Sequence, residues 1–167
     1  FKLLRRPYWA NVLRFFAGCF TFGELDGLAQ MISNSDRYVG HASLINARRL
    51  LAILLADRLF VEHPLAERAA LHFAMDDTGL RQLGSDRSRI SASLLPRTEN
   101  VRAFAADILR RMGLEGQSRP FSGSSSLVES VRLIVPMSVL IDEWLKILSN
   151  QPSENSLRLG LKLGLLD

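Results

Sequence analysis

The sequence predicts a mainly α protein in which three helices lead into a small β-hairpin wing and a second helical region follows. Three observations carry that expectation. Apolar residues recur at helical spacing, with capping signals, through residues 8–57. Two short runs of period-two alternation, 59–63 and 71–75, flank a charged stretch from Pro64 to Ala69. From Thr98 to about Ser149 the apolar residues return to helical spacing. The order reads as a winged helix-turn-helix domain over residues 1–83, with 84–167 as a helical C-terminal region for dimerisation or interaction.

Pro7 suits the first turn of a helix, after which Tyr8, Val12, Leu13, Phe16 and Phe20 share one side. Thr21 and Glu24 have the T-x-x-E spacing of a capping box, and Leu25, Leu28 and Ile32 give the second helix its buried face. Ser33 to Asp36 break it, because these short polar side chains compete for backbone hydrogen bonds. A third helix is expected over about residues 41–57. Leu44, Ala47, Leu51 and Leu54 form its inner side and His41, Ala42, Ile45, Asn46 and Arg49 its outer side. In the wing, Leu59, Val61 and His63 alternate with Phe60 and Glu62, and Leu71, Phe73 and Met75 with His72 and Ala74, while Pro64 ends the first strand.

In the second half, Thr98 caps a helix whose stripe is Val101, Phe104, Ala105, Ile108 and Met112, ended by Gly113. Ser126 and Glu129 repeat the capping-box spacing and open a helix through Trp144 to about Ser149, kinked or split by Pro136. That helix is apolar on most sides, so something must bury it. A second copy of the chain is the expected cover, with Leu127, Val131, Ile134, Leu140, Trp144 and Leu148 as the dimer core. The closing leucines 157, 159, 161, 163 and 165 alternate with Arg158, Gly160, Lys162 and Gly164, which predicts an edge strand or extended arm.

Composition narrows the function classes. A chain of 167 residues with 47% hydrophobic content has enough apolar material for a core, and its single Cys19 excludes a disulfide scaffold. Cys19 lies in the apolar run 15–20 and is expected to be a buried thiol, with the cytoplasm as the default location. The charge-free stretch between Arg132 and Asp142 falls far short of the roughly 18 to 20 apolar residues of a membrane-spanning helix, so no membrane partner is expected. Net charge is +4, and Lys2, Arg5, Arg6 and Arg14 precede any acidic residue, which makes a local positive patch.

The segments 23–32, 47–61 and 73–79, the last reading Phe-Ala-Met-Asp-Asp-Thr-Gly, resemble the winged helix-turn-helix regulators of bacteria of the MarR and PadR type over about residues 7–80. The resemblance implies sequence-specific binding of double-stranded DNA by a homodimer that regulates transcription, with a small-molecule effector between helices as a further partner. In the geometry of such a reader, Arg49 would pair with guanine and Asn46 with adenine, while Ala42 allows close approach; His41 and Ile45 share that outer face. Arg48 and Arg37 would meet phosphates, Arg68 at the wing tip would reach the backbone or minor groove, and Arg5 and Arg6 would add positioning charge. A competing expectation is a protein-interaction or scaffold module without DNA binding, with Ile45 and Ile53 as contact residues.

Other constellations are weaker. His63 and His72 face each other across the wing in this reading but lack a third spaced ligand, and the serines from Ser122 to Ser126 lack the G-x-S-x-G order. No phosphate-binding loop or dinucleotide fingerprint occurs, so no enzyme activity, metal or cofactor is expected.

Overall fold

Pro64, read from the sequence as the end of a strand, is instead the first residue of a helix. The computed structural model of the chain describes residues 9–34, 41–85, 95–118, 124–150 and 152–165, and among these the secondary structure is helical throughout, with no strand. The helices are α1 (Trp9–Ala17), α2 (Phe22–Ser33), α3 (His41–Ala56), α4 (Pro64–Ala74), α5 (Asp77–Ser85), α6 (Glu99–Ser118), α7 (Ser124–Ile134), α8 (Met137–Asn150) and α9 (Glu154–Leu163). They fall into two compact units, Phe1–Leu83 and Gly84–Asp167.

The mainly α character holds, but the β-hairpin wing is overturned. Residues 57–62, which hold all of the first expected strand but His63, form turns in which the Val61 amide donates to the Arg58 carbonyl and the His63 amide to that of Phe60, and Arg58 takes a left-handed φ of 61°. The second expected strand is the last turn of α4 and its cap. Alternation and helical spacing coexist in this segment, and the helical reading prevails because Pro64 fits the first helical position and Ala66, Ala70, Leu71 and Ala74 form one buried face. Three alanines on that face let α4 approach α2 and α3 closely, so α4 is the central packing element of the first unit.

The start of α2 follows the sequence pattern. The Glu24 carboxylate accepts hydrogen bonds from the Thr21 amide (2.8 Å) and the Thr21 hydroxyl (2.7 Å). The backbone bond first, then the hydroxyl, hold its pKa below the ordinary glutamate value. The contribution of this cap is present above the unfolded-state pKa and is lost as pH falls through the lowered one. α1 packs on α3, and the Arg14 guanidinium pairs with Asp57 just past the end of α3; that hydrogen bond, then the charge, raise the Arg14 pKa further.

In the second unit Thr98 Oγ1 accepts from the Val101 amide at 3.3 Å and caps α6, which runs on past Gly113 to Ser118. Pro136 splits the expected long helix into α7 and α8, since a proline cannot donate to the helical ladder. The closing leucine alternation is a helix as well. Ser153 opens α9 with a capping box to Ser156, and Gly164 ends it at a left-handed φ of 64° beside the Arg132 guanidinium. α9 buries Ser156, Leu159, Gly160 and Leu163, the spacing of a helix face and not of a strand.

The seat of α9 is the Trp144 indole. Its Nε1 donates to the Ser156 carbonyl at 2.8 Å, and Gly160 lies so close that an added Cβ would stand 2.5 Å from Trp144 Cζ2. α6 packs against both α8 and α9, and α7 against α9, so this contact is enclosed. Glu143, also buried, is held by Lys146 at 2.7 Å and Arg102 at 3.7 Å. Gly160→Ala tests the seat. On an open helix the change would stabilise by up to about 1 kcal/mol, whereas overpacking against a rigid ring costs about 1–3 kcal/mol, so net destabilisation in urea denaturation is expected.

Candidate interaction surfaces

Arg48 is the residue whose placement bears most on function. It leaves α3 pointing at the corner between α4 and α5, where its Nε donates to the Phe73 carbonyl at 3.3 Å and its guanidinium pairs with Asp76. The same group lies 5.4 Å from the centre of the Phe73 ring. Its side chain is 14% exposed. Asp76 in turn accepts from the Gly79 amide at 2.6 Å, the bond an N-cap makes, and so starts α5. A Cβ at Gly79 would stand 2.0 Å from the Ala74 carbonyl oxygen, so the turn closes this tightly only with glycine. The segment 73–79, which carried part of the family resemblance, is thus a helix-to-helix corner.

Of the other residues expected at DNA, the structure describes the side chains of Ile45, Asn46 and Arg49 on α3 and Arg68 on α4. Arg5, Arg6 and Arg37 lie outside the described residues, and His41 and Ala42 are in the first turn of α3 with side chains outside them. Ile45, Arg49 and Ile53 share a strip of α3; Ile45 is exposed, Arg49 and Ile53 are half-buried, and Asn46 and Arg49 are each already partnered. Arg68 is exposed, on the second turn of α4 and not at a wing tip.

Three further expectations are corrected. Leu127, Val131, Ile134, Leu140 and Trp144 are buried within the single chain, with only Leu148 half-buried; the cover assigned to a second copy is supplied by the chain itself, as the seat of α9 on Trp144 shows. Cys19 is exposed, its Sγ 3.8 Å from the Phe15 carbonyl, and Phe16 is exposed beside Phe15. His63 is buried at the start of α4 and His72 exposed in its last turn, so they do not face each other across strands.

A surface that the strand reading concealed lies on α8 and α9. Trp144 meets Gly160, and α9 begins four residues after α8 ends; contacts symmetric about that connection make an antiparallel helical hairpin. At about 100° per residue, Leu157 and Leu161 lie roughly 60° and 100° round α9 from Gly160. Leu148, Ile141 and Leu145 lie roughly 40°, 60° and 100° round α8 from Trp144 in the same sense, which in an antiparallel pair is the same side. Leu145, Leu157 and Leu161 are 48%, 45% and 63% exposed, and Ile141 and Leu148 are half-buried. The spacing of 157 and 161, one helical turn, is the signal that could have found this face.

Among the described residues no three His, Cys, Asp or Glu side chains cluster as metal ligands would, and no helix is long and apolar enough to cross a membrane. The fold and surface therefore define a class: an all-helical protein, in its described residues, with an apolar face on its last hairpin. Comparison with family models, with curated proteins and with solved structures gives no match.

Arg48→Ala separates a structural from a ligand-facing arginine. It removes a charge-assisted contact and uncovers the Phe73 carbonyl, so a loss of about 1.5–3 kcal/mol is expected in chemical denaturation. Arg68→Ala, an exposed change, is expected to stay within about 0.5 kcal/mol of wild type.

Proposed function

We propose that this protein is an interaction module that binds another protein chain through the α8–α9 hairpin. The observation that carries the reading is the exposure of Leu145, Leu157 and Leu161 on one side of that hairpin. Single exposed leucines are ordinary on a protein surface, but several sharing one face mark a binding site more often than chance placement. The engagement of Arg48 with Phe73 and Asp76 adds support, because it withdraws one of the two adjacent arginines on which a DNA-reading α3 would draw.

Double-stranded DNA, read in the service of transcription, is the second reading. It is favoured by the net charge of +4 and by the exposed Arg68 on the first unit. It requires an all-helical reader, since the wing is gone.

Site-specific photo-crosslinking in the native host tests the first reading. A photoreactive phenylalanine analogue replacing Leu161 is expected to yield a protein adduct, and the same analogue replacing the exposed Asn150 is expected to yield none. Absence of adducts at both Leu157 and Leu161 would overturn the interaction reading. A parallel titration of the purified chain with mixed-sequence duplex is expected to show no binding that weakens steeply with salt; such binding, lost in Arg49→Ala and Arg68→Ala, would favour DNA instead.

A further inference from the structure

We infer that the first unit rests on an anionic lipid surface through the outward side of α1. The inference goes beyond the hairpin reading and uses none of its residues.

Two observations meet at α1. The first is its orientation. Ala17 is buried and α3 is the main neighbour of α1, so Ala17 marks the inward side. Measured from it at about 100° per residue, Phe15 lies roughly 160° round the helix and Phe16 roughly 100° round in the other sense, with Val12 between them. Phe15 is 73% and Phe16 54% exposed, and Val12 is half-buried. A surface helix ordinarily turns its polar side outward. This one turns out two phenylalanines, whose rings meet edge to face with centroids 6.0 Å apart.

The second is charge. Lys2, Arg5, Arg6 and Arg14 precede the first acid, Glu24, and more than half of the chain's aromatic residues fall within its first 22 positions. Arg14 is answered by Asp57, which leaves Lys2, Arg5 and Arg6. Those three lie outside the described residues, but a chain extends at most about 3.6 Å per residue, so Arg5 and Arg6 stay within roughly 15 Å of the start of α1.

Cations without neighbouring acids and rings without cover together fit one kind of surface. Lipid phosphates take the cations, and the boundary between headgroups and acyl chains takes the phenylalanines. Each basic residue near an anionic leaflet strengthens binding about fivefold. A neutral apolar groove would accept the rings but gives the cations no partner. No helix among the described residues is long and apolar enough to cross a bilayer; lying against one needs no such length.

Vesicle flotation of the full chain tests the inference. Binding is expected to vesicles of phosphatidylcholine with about one third phosphatidylserine, to fall as salt rises, and to be at least about tenfold weaker on phosphatidylcholine alone. Two double variants, Phe15→Ser with Phe16→Ser and Arg5→Glu with Arg6→Glu, are each expected to weaken it more than about tenfold. Leu65→Ser, at a side chain 76% exposed on α4, is expected to leave it unchanged. Cys19, the single cysteine, is exposed just past α1, with its Sγ 3.8 Å from the Phe15 carbonyl. An environment-sensitive dye attached there is expected to shift its emission to the blue on anionic vesicles and not on neutral ones.

No binding to the anionic vesicles overturns the inference, as does binding that survives the loss of both phenylalanines or falls equally in Leu65→Ser. The urea midpoint shows whether the phenylalanine variant is folded. If it is not, the dye on the otherwise unaltered chain decides, and an unmoved dye on vesicle-bound protein overturns the placing of α1 at the surface.

Discussion

The corner between α4 and α5 depends on one cation. The Arg48 guanidinium takes up the Phe73 carbonyl, at the end of a helix where carbonyls lack partners, and the Asp76 carboxylate, which itself begins the next helix. One side chain from α3 thus answers both the terminal acceptor of α4 and the acid that caps α5. Without it the turn would hold a carboxylate and an uncovered carbonyl close together with no positive charge to offset them. The position of α3 relative to α4 therefore follows from electrostatics as well as from the buried alanines between them. The second unit solves the corresponding problem with shape: an indole ring and the absence of a side chain at Gly160 bring α9 onto α8.

These two devices explain how much of the molecule was legible in the residues. Local signals translated well. The Thr21–Glu24 box, the Thr98 cap and the break at Pro136 each act through atoms only a few residues apart, and each is found where its spacing places it. The extent of α3, expected over about 41–57, is close to the observed His41–Ala56.

The segments that misled are those where two periodicities overlap. Leucine at every second position from 157 to 163 satisfies a strand; it equally allows a helix that buries Leu159 and Leu163 and leaves Leu157 and Leu161 outside. Only the partner decides, and the partner is Trp144, sixteen residues before Gly160 in the chain. Likewise, nothing local to Arg48 says that its guanidinium turns inward to Asp76, twenty-eight residues on. The candidate surface was hidden for the same reason: with α9 read as a strand, its two exposed leucines fell on the same side as its buried ones. The apolar character of 127–148 does signal burial, but the cover comes from within the chain.

The enclosed Trp144 has a spectroscopic consequence. The chain has two tryptophans, and the indole of this one is 2% exposed with its N–H bonded to a backbone carbonyl of α9. Its fluorescence is thus sensitive to the seating of the last helix, and it lies on the hairpin that carries the leucine face. Replacing Trp9 with phenylalanine would leave one tryptophan, whose emission, excited beyond the tyrosine absorption, reports whether α9 is docked without any added label. The same contact that holds the helix in place provides the means of watching it leave.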